Sequence, residues 1–284
     1  MKKSLFFASL LIVVLFSSCK YGFHEAFYRD NPVEKRSKEI QKISLVDAAG
    51  QNINLAEKDS FSFIIISDVH FGQKKEYIDK EFISAVKKLA VKPDFCICLG
   101  DIAEHGLKSE YTKFDDSVVK ELEALGIKTY NVVGNHDLYN SGWENYKKFC
   151  YPYSSFYYFQ SGDYSFYFLD TASGLISEPQ MTSFKKTIKK DSNKKFVFSH
   201  FSLYSENSLY FVIQDVEERN DLLSVLAKND VIAYFGGHIH ADRQSDFGSF
   251  DEISVPAFLE QRTWGLCTVN TTTSKYKYEK FTVP

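Results

Sequence analysis

The chain has 284 residues, 44% of them hydrophobic and 25% charged, enough apolar material for one large core and a length ordinary for a single α/β domain. A formal net charge of −3 leaves no basic footprint, so binding to a nucleic acid duplex is not expected. The 18 tyrosines and 26 phenylalanines fit strand and core content better than a base-stacking surface.

The N-terminus reads as a targeting segment. Lys2 and Lys3 precede an apolar run over 5–16, and Ser17-Ser18-Cys19 follow it. The run is shorter than the ~20 residues that a membrane-spanning helix needs. Its ending resembles the bacterial lipoprotein signal, in which the cysteine is lipidated and becomes the mature N-terminus. Phe16 departs from that pattern, which usually has an aliphatic residue there. The resemblance implies removal of 1–18, lipidation of Cys19, and anchoring to the cell envelope on the periplasmic or cell-surface side. An ordinary cleaved signal and a secreted soluble protein is the alternative. Residues 19–42, polar and charged from His24 to Glu39, suit a tether, with the folded domain over 43–284.

Two short strands are expected in 43–55, around Ala49-Gly50-Gln51. A buried strand follows over 61–67, rich in Ile and Phe. Ile78, Phe82, Val86 and Leu89 recur at helical spacing within 76–90. Lys92-Pro93 open a strand over 94–99, and a helix over 111–125 is stopped by Gly126. A strand is expected at 127–133 and a short helix at 142–149. Ser161-Gly162-Asp163 joins strands 155–160 and 164–170 as a hairpin. Helices at 178–190 and 214–228 alternate with strands at 195–199 and 231–235, and beyond Gly237 only strands are expected. Cys96 and Cys98 alternate within an apolar strand and read as buried. Export would permit a disulfide between Cys150 and Cys267. An alternating first part and a β-rich tail indicate one α/β domain whose helices cover sheet faces.

Five stretches each follow a predicted strand: Ser67-Asp68-Val69-His70, Gly100-Asp101, Gly134-Asn135-His136-Asp137, Ser199-His200, and Gly236-Gly237-His238-Ile239-His240. Loops at the carboxyl ends of strands converge on one edge of an α/β sheet, where ligands bind. These stretches hold five of the seven histidines. Imidazole and carboxylate without thiolate suit Zn, Fe, Mn or Ni. In Asp68-x-His70 and His238-x-His240, an extended backbone would put both side chains on one side. The glycines at 100, 134, 236 and 237 are expected to let the chain turn sharply as it leaves each strand.

The order D-x-H, G-D, G-N-H-D, H, G-H-x-H resembles the calcineurin-like metallophosphoesterase superfamily over about residues 60–245. The resemblance implies an α/β fold, a four-layer αββα sandwich of two mixed β-sheets flanked by helices. It also implies two metal ions, with Asp68, His70 and His240 holding the first, Asn135, His200 and His238 the second, and Asp101 bridging them. With only two carboxylate ligands, such a site stays positive and suits an anionic phosphate. The implied reaction is hydrolysis of a phosphomonoester or phosphodiester by a hydroxide between the metals, with His136 as general acid. In the Ser/Thr phosphatase branch an Asp three residues after the bridging Asp fixes that histidine. Glu104 stands there and could serve, its other reading being a solvated loop glutamate. Asp137 reads as a structural acceptor.

Several departures narrow the substrate. His105 stands where that branch has an arginine, and Leu138-Tyr139-Asn140 follow the G-N-H-D. Without an arginine clamp, small esters such as nucleotides are expected rather than proteins, and His105 is a candidate substrate contact. Purple acid phosphatases carry Tyr at the Glu104 position, so a coloured Fe(III) centre is not expected. His200-Phe201-Ser202 replaces the usual H-x-P. Tyr204, Tyr210 and Phe211 are expected in the core rather than along the pocket wall. The alternative to an enzyme is a non-catalytic surface-binding lipoprotein that keeps the fold.

Overall fold

The structure, a computed structural model, describes residues 32–73, 80–206 and 209–283. The signal segment and Cys19 lie outside the described residues.

Two mixed sheets face one another. The seven-stranded sheet has the order β1-β5-β6-β7-β8-β10-β9, formed by Gln41–Ile43 (β1), Tyr157–Ser161 (β5), Tyr164–Phe168 (β6), Lys194–Phe198 (β7), Val231–Gly236 (β8), Arg243–Asp246 (β9) and Asp251–Ser254 (β10). The five-stranded sheet has the order β12-β11-β2-β3-β4, formed by Ser60–Ile66 (β2), Phe95–Cys98 (β3), Lys128–Asn131 (β4), Thr263–Asn270 (β11) and Tyr276–Thr282 (β12). β2, β3 and β4 run parallel, as do β6, β7 and β8. Their carboxyl ends therefore gather on one edge.

The strand sequences show why the sheets are covered on both faces. In β2, Phe61, Phe63 and Ile65 point between the sheets, while Ile64 and Ile66 point at the helices. A strand buried on both faces reads as a continuous apolar run. Between the sheets Phe63 stacks on Phe95 at 5.1 Å and meets Phe166 edge-on at 5.9 Å. Phe159, Phe168, Phe196, Phe198 and Phe235 complete that layer, so the aromatic excess is core content as expected.

Outside the five-stranded sheet pack Lys80–Lys87 (α2), Lys108–Phe114 (α3), Lys120–Glu123 (α4) and Gly142–Phe149 (α5). A π-helical turn, Asp115–Val119, joins α3 to α4. Outside the other sheet pack Glu178–Ile188 (α6) and Val216–Ala227 (α7). The four layers match the expected sandwich.

The structure corrects three local expectations and answers one open question, the state of Cys150 and Cys267. The domain starts earlier than residue 43: Pro32–Arg36 forms a helix (α1), Val33 is fully buried, and β1 pairs in parallel with β5. Arg36 does not face water; its guanidinium lies 2.9 Å from the Asp170 carboxylate, with side-chain exposures of 6% and 0%. In 43–55 an isolated Val46–Asn52 bridge replaces two strands, followed by a 3-10 turn at Leu55–Glu57. The tail after Gly237 includes a one-turn helix, Phe258–Gln261 (α8). Cys150 and Cys267 are free thiols in different cores, Cys150 under the outer helices and Cys267 between the sheets. Among the described residues no helix is long and apolar enough to cross a membrane.

Candidate metal centre

The loops after β2 and β3 keep pairing beyond the strands. Asp68 N–H donates to the Gly100 carbonyl at 3.1 Å, His70 N–H to Asp101 at 2.9 Å, and Phe71 N–H to Ile102 at 2.9 Å. Their side chains are thus presented by a fixed main chain. The backbone is not extended there. Asp68 (φ 52°), His70 (46°), Asp101 (50°), His238 (65°) and His240 (50°) are all left-handed. Each pair reaches one side through these turns, contrary to the extended-chain expectation. Non-glycine residues hold such conformations only where surrounding contacts over-determine them, most often at functional sites. Of the four motif glycines only Gly100 has a positive φ. Gly134 serves close approach instead: a Cβ there would lie 2.2 Å from both Asp101 N and Asp101 Oδ1.

Every predicted ligand from these loops arrives at one place. Asp68, His70 and His240 form one group and Asp101, His200 and His238 another, with ligand atoms within 4.8 Å of one another in each. Asp101 Oδ2 stands between them, 3.7 Å from His70 Nε2 and 3.3 Å from His200 Nε2. Asn135 Oδ1 lies 3.0 Å from His200 Nε2. Asp68 Oδ1 is 3.3 Å from His240 Nε2.

The chemistry of these donors fits metal ions. Asp68, His70, Asp101 and His200 are almost wholly buried. Within that enclosure Asp68 Oδ1, His70 Nε2 and His238 Nε2 have no hydrogen-bond partner. An unpaired polar atom in the interior is costly, so three converging in one cluster mark a place for a ligand that accepts lone pairs. Partners on the far side of the His70 and His200 rings aim their other nitrogens inward. His70 Nδ1–H donates to Glu104 Oε2 at 2.7 Å, and His200 Nδ1–H to the Leu99 carbonyl at 2.8 Å. Asp68 Oδ2 accepts from the Ser67 hydroxyl and from His238 N–H, leaving Oδ1 toward the cluster.

Charge points the same way. Burial pushes the Asp68 carboxyl up, but the His240 imidazole 3.3 Å away and the His200 charge outweigh it and hold the carboxyl well below the usual range. Asp101 is likewise lowered, burial being outweighed by His200. His200 rises to about 9 because Asp101 outweighs burial, and His240 rises to about 9 because Asp68 does. Burial, with His200 beside it, keeps His238 down at about 4 and therefore neutral. Two buried carboxylates are thus balanced by protons on two imidazoles, and divalent ions would displace those protons.

His136 stands beside these groups, its ring 4.7 Å from that of His70. Its Nδ1–H donates to the main-chain carbonyl of Glu104 at 2.9 Å, which leaves Nε2 facing away from the loop. The expected role of Glu104 is therefore divided. Its carbonyl fixes His136, whereas its carboxylate lies 2.7 Å from His70 Nδ1 and 3.4 Å from His136 Nδ1. Asp137 is the structural acceptor expected, taking N–H bonds from Ile102, Ala103 and Gly134. His105 does not join the cluster; half exposed, it places Nδ1 3.0 Å from Glu110 Oε1.

Two features were not foreseen. Glu260, at the end of α8, lies 3.3 Å from His240 Nδ1 and gives that ring a carboxylate partner. A one-turn helix leaves no periodicity by which to find it. Tyr204 and Tyr210 are not core residues as expected: they are 47% and 65% exposed, and Phe211 is half-buried. Tyr210 and Phe211 stand 6.3 and 6.0 Å from the His238 ring, beside the site.

A family model described as calcineurin-like phosphoesterase matches residues 61–242. Among solved structures, the chain is similar to a dimetal phosphatase from Danio rerio, at 15% identity over 79% of this chain and 99% of that chain, with a TM-score of 0.59. It is also similar to GAP50, the anchor in the inner membrane complex of Plasmodium, at 14% identity over 80% of this chain and 90% of that one, with a TM-score of 0.60. Among curated proteins no significant match is found.

Proposed function

The chain belongs to the calcineurin-like phosphoesterase family, and we propose that within it the protein is a two-metal hydrolase of small phosphate esters. Hydrolysis of phosphate ester bonds with metal ions is the activity of the family; the ligand roles, the proton donor and the substrate class are our reading. One observation carries it: Asp68 Oδ1, His70 Nε2 and His238 Nε2 are buried without partners inside a single cluster.

Asp68, His70 and His240 would hold one ion, Asn135, His200 and His238 the other, and Asp101 both. When bound, the pair supplies Lewis acidity and a water nucleophile of lowered pKa. The residues of the chain do the rest. The Glu104 carbonyl holds the His136 proton on Nδ1, so a second proton, on Nε2, is the one available to a leaving alkoxide. Glu104 and Glu260 keep the rings of His70 and His240 in register. No arginine is placed as a phosphate clamp by the motifs, and Arg243, which follows the last of them, is paired with Glu252 at 3.1 Å. That favours small esters over phosphoproteins. The ions are Mn, Fe, Zn or Ni, which these donors accept alike.

Reconstitution with each ion, followed by phosphate release from a panel of monoesters and diesters, tests the reading. Activity with at least one ion is expected; metal-loaded protein inert on every ester would refute it. The reading extends to the N-terminus: Cys19 carries a lipid that keeps the enzyme at the cell envelope. Labelled palmitate should enter the wild type and not Cys19→Ser; equal labelling of both would exclude Cys19.

A further inference from the structure

We propose that the ring of Tyr139 is a platform for the leaving group, and that the alcohol released carries a planar heterocycle, as in a nucleoside 5′-phosphate. The inference rests on the phosphoesterase reading and on His136 as its proton donor. Whatever oxygen receives that proton must lie at His136 Nε2, so the leaving group extends from there. Tyr139 is the broad surface next to that ring, with centroids 4.9 Å apart and planes inclined at 49°. It is 47% exposed, although it follows the buried Asp137 by two residues.

The presentation of this tyrosine is built. Tyr139 leaves the helical turn (φ −66°, ψ 154°), and Asn140 and Ser141 then adopt left-handed backbone at φ 48° and 64°. Two successive non-glycine residues there are strained and need support from outside. Asn140 Nδ2 donates to the His105 carbonyl at 3.0 Å, and Asn145 Nδ2 to the Gly106 carbonyl at 2.8 Å. Gly106 lies so close beneath that a Cβ on it would sit 2.3 Å from the Tyr139 carbonyl oxygen. A strained, externally braced turn that ends in a half-exposed aromatic face, beside the proton donor, is a surface for stacking.

Proton donation also selects the kind of ring. A phenolate leaves without help, whereas an alkoxide needs a proton. The heterocycle is therefore borne by an aliphatic alcohol, which describes a nucleoside and not an aryl ester.

Adenosine 5′-phosphate and ribose 5-phosphate release comparable primary alkoxides and differ by the base, so the ratio of their kcat/KM values isolates stacking. The methyl diesters of both serve if the enzyme prefers diesters. The wild type should favour the nucleotide by roughly tenfold or more, the range of base stacking on an aromatic side chain. Tyr139→Ala should bring the ratio close to one and Tyr139→Phe should preserve it. Tyr210→Ala, near the His238 ring rather than the His136 ring, should preserve it as well. Equal turnover of both esters by the wild type overturns the platform and leaves the phosphoesterase reading standing. So does a ratio that survives in Tyr139→Ala or collapses in Tyr210→Ala. Turnover of none of the four esters contradicts the reading beneath and removes the platform with it.

Discussion

His136 has its Nδ1 proton fixed by the main-chain carbonyl of Glu104, at 2.9 Å. A proton donor matters in proportion to how badly the leaving group needs one. His136→Ala should therefore cost roughly 10²–10⁴-fold in kcat on an alkyl phosphate and far less on a nitrophenyl ester. Parallel kinetics on the two esters check this, and equal losses on both would remove the general-acid role. At this scale the sequence was most informative, because Asp, Asn and His after strands announce chemistry by residue type. It was less so where position depends on the turn: the left-handed backbone at Asp68 and His70 leaves no trace in D-x-H spacing. Nor could spacing tell that the Glu104 carboxylate would lie nearer His70 than His136, since the two distances, 2.7 and 3.4 Å, differ by less than an ångström.

Among the elements, α1 and β1 were misread and have a testable energetic role. Arg36 reaches the Asp170 carboxylate at 2.9 and 3.1 Å and the Ser173 hydroxyl at 3.1 Å, with its guanidinium 5.9 Å from the Trp143 ring. It thereby ties the N-terminal segment to the loop after β6 and to α5. Arg36→Ala leaves the fully buried Asp170 side chain without its counter-charge, and such a change typically costs about 3–5 kcal/mol. Urea unfolding should show a clearly lower midpoint, while an unchanged midpoint would mean that water replaces the guanidinium. The segment looked like a tether because it is rich in charge, and the pairing of one of those charges with a residue far along the chain is invisible locally. The same limit hid α8, whose four residues are too few to display a period. The long strands and helices were legible because each repeats its apolar pattern over several residues.

Over the whole molecule, two mixed sheets bring the carboxyl ends of β2, β3 and β4 opposite those of β7 and β8. Neither half holds the site alone: Asp68, Asp101 and Asn135 come from one sheet, His200, His238 and His240 from the other. Folding thus assembles the two ligand groups around Asp101, which explains why the ordered motifs indicated both the sandwich and the site. The substrate was not legible from those motifs because, on our proposal, specificity rests on a rim residue, Tyr139, whose exposure depends on how neighbouring loops pack. The central claim is that one chain holds two ions that act together, and a metal titration tests it most directly. Phosphate release by metal-stripped protein should be followed as an activating ion is added in increments, for the wild type and for Asp101→Asn. The expected wild-type activity rises until about two equivalents are bound, and Asp101→Asn stays essentially inactive throughout. Full wild-type activity at one equivalent, or full activity in Asp101→Asn, would contradict a two-metal centre bridged by Asp101.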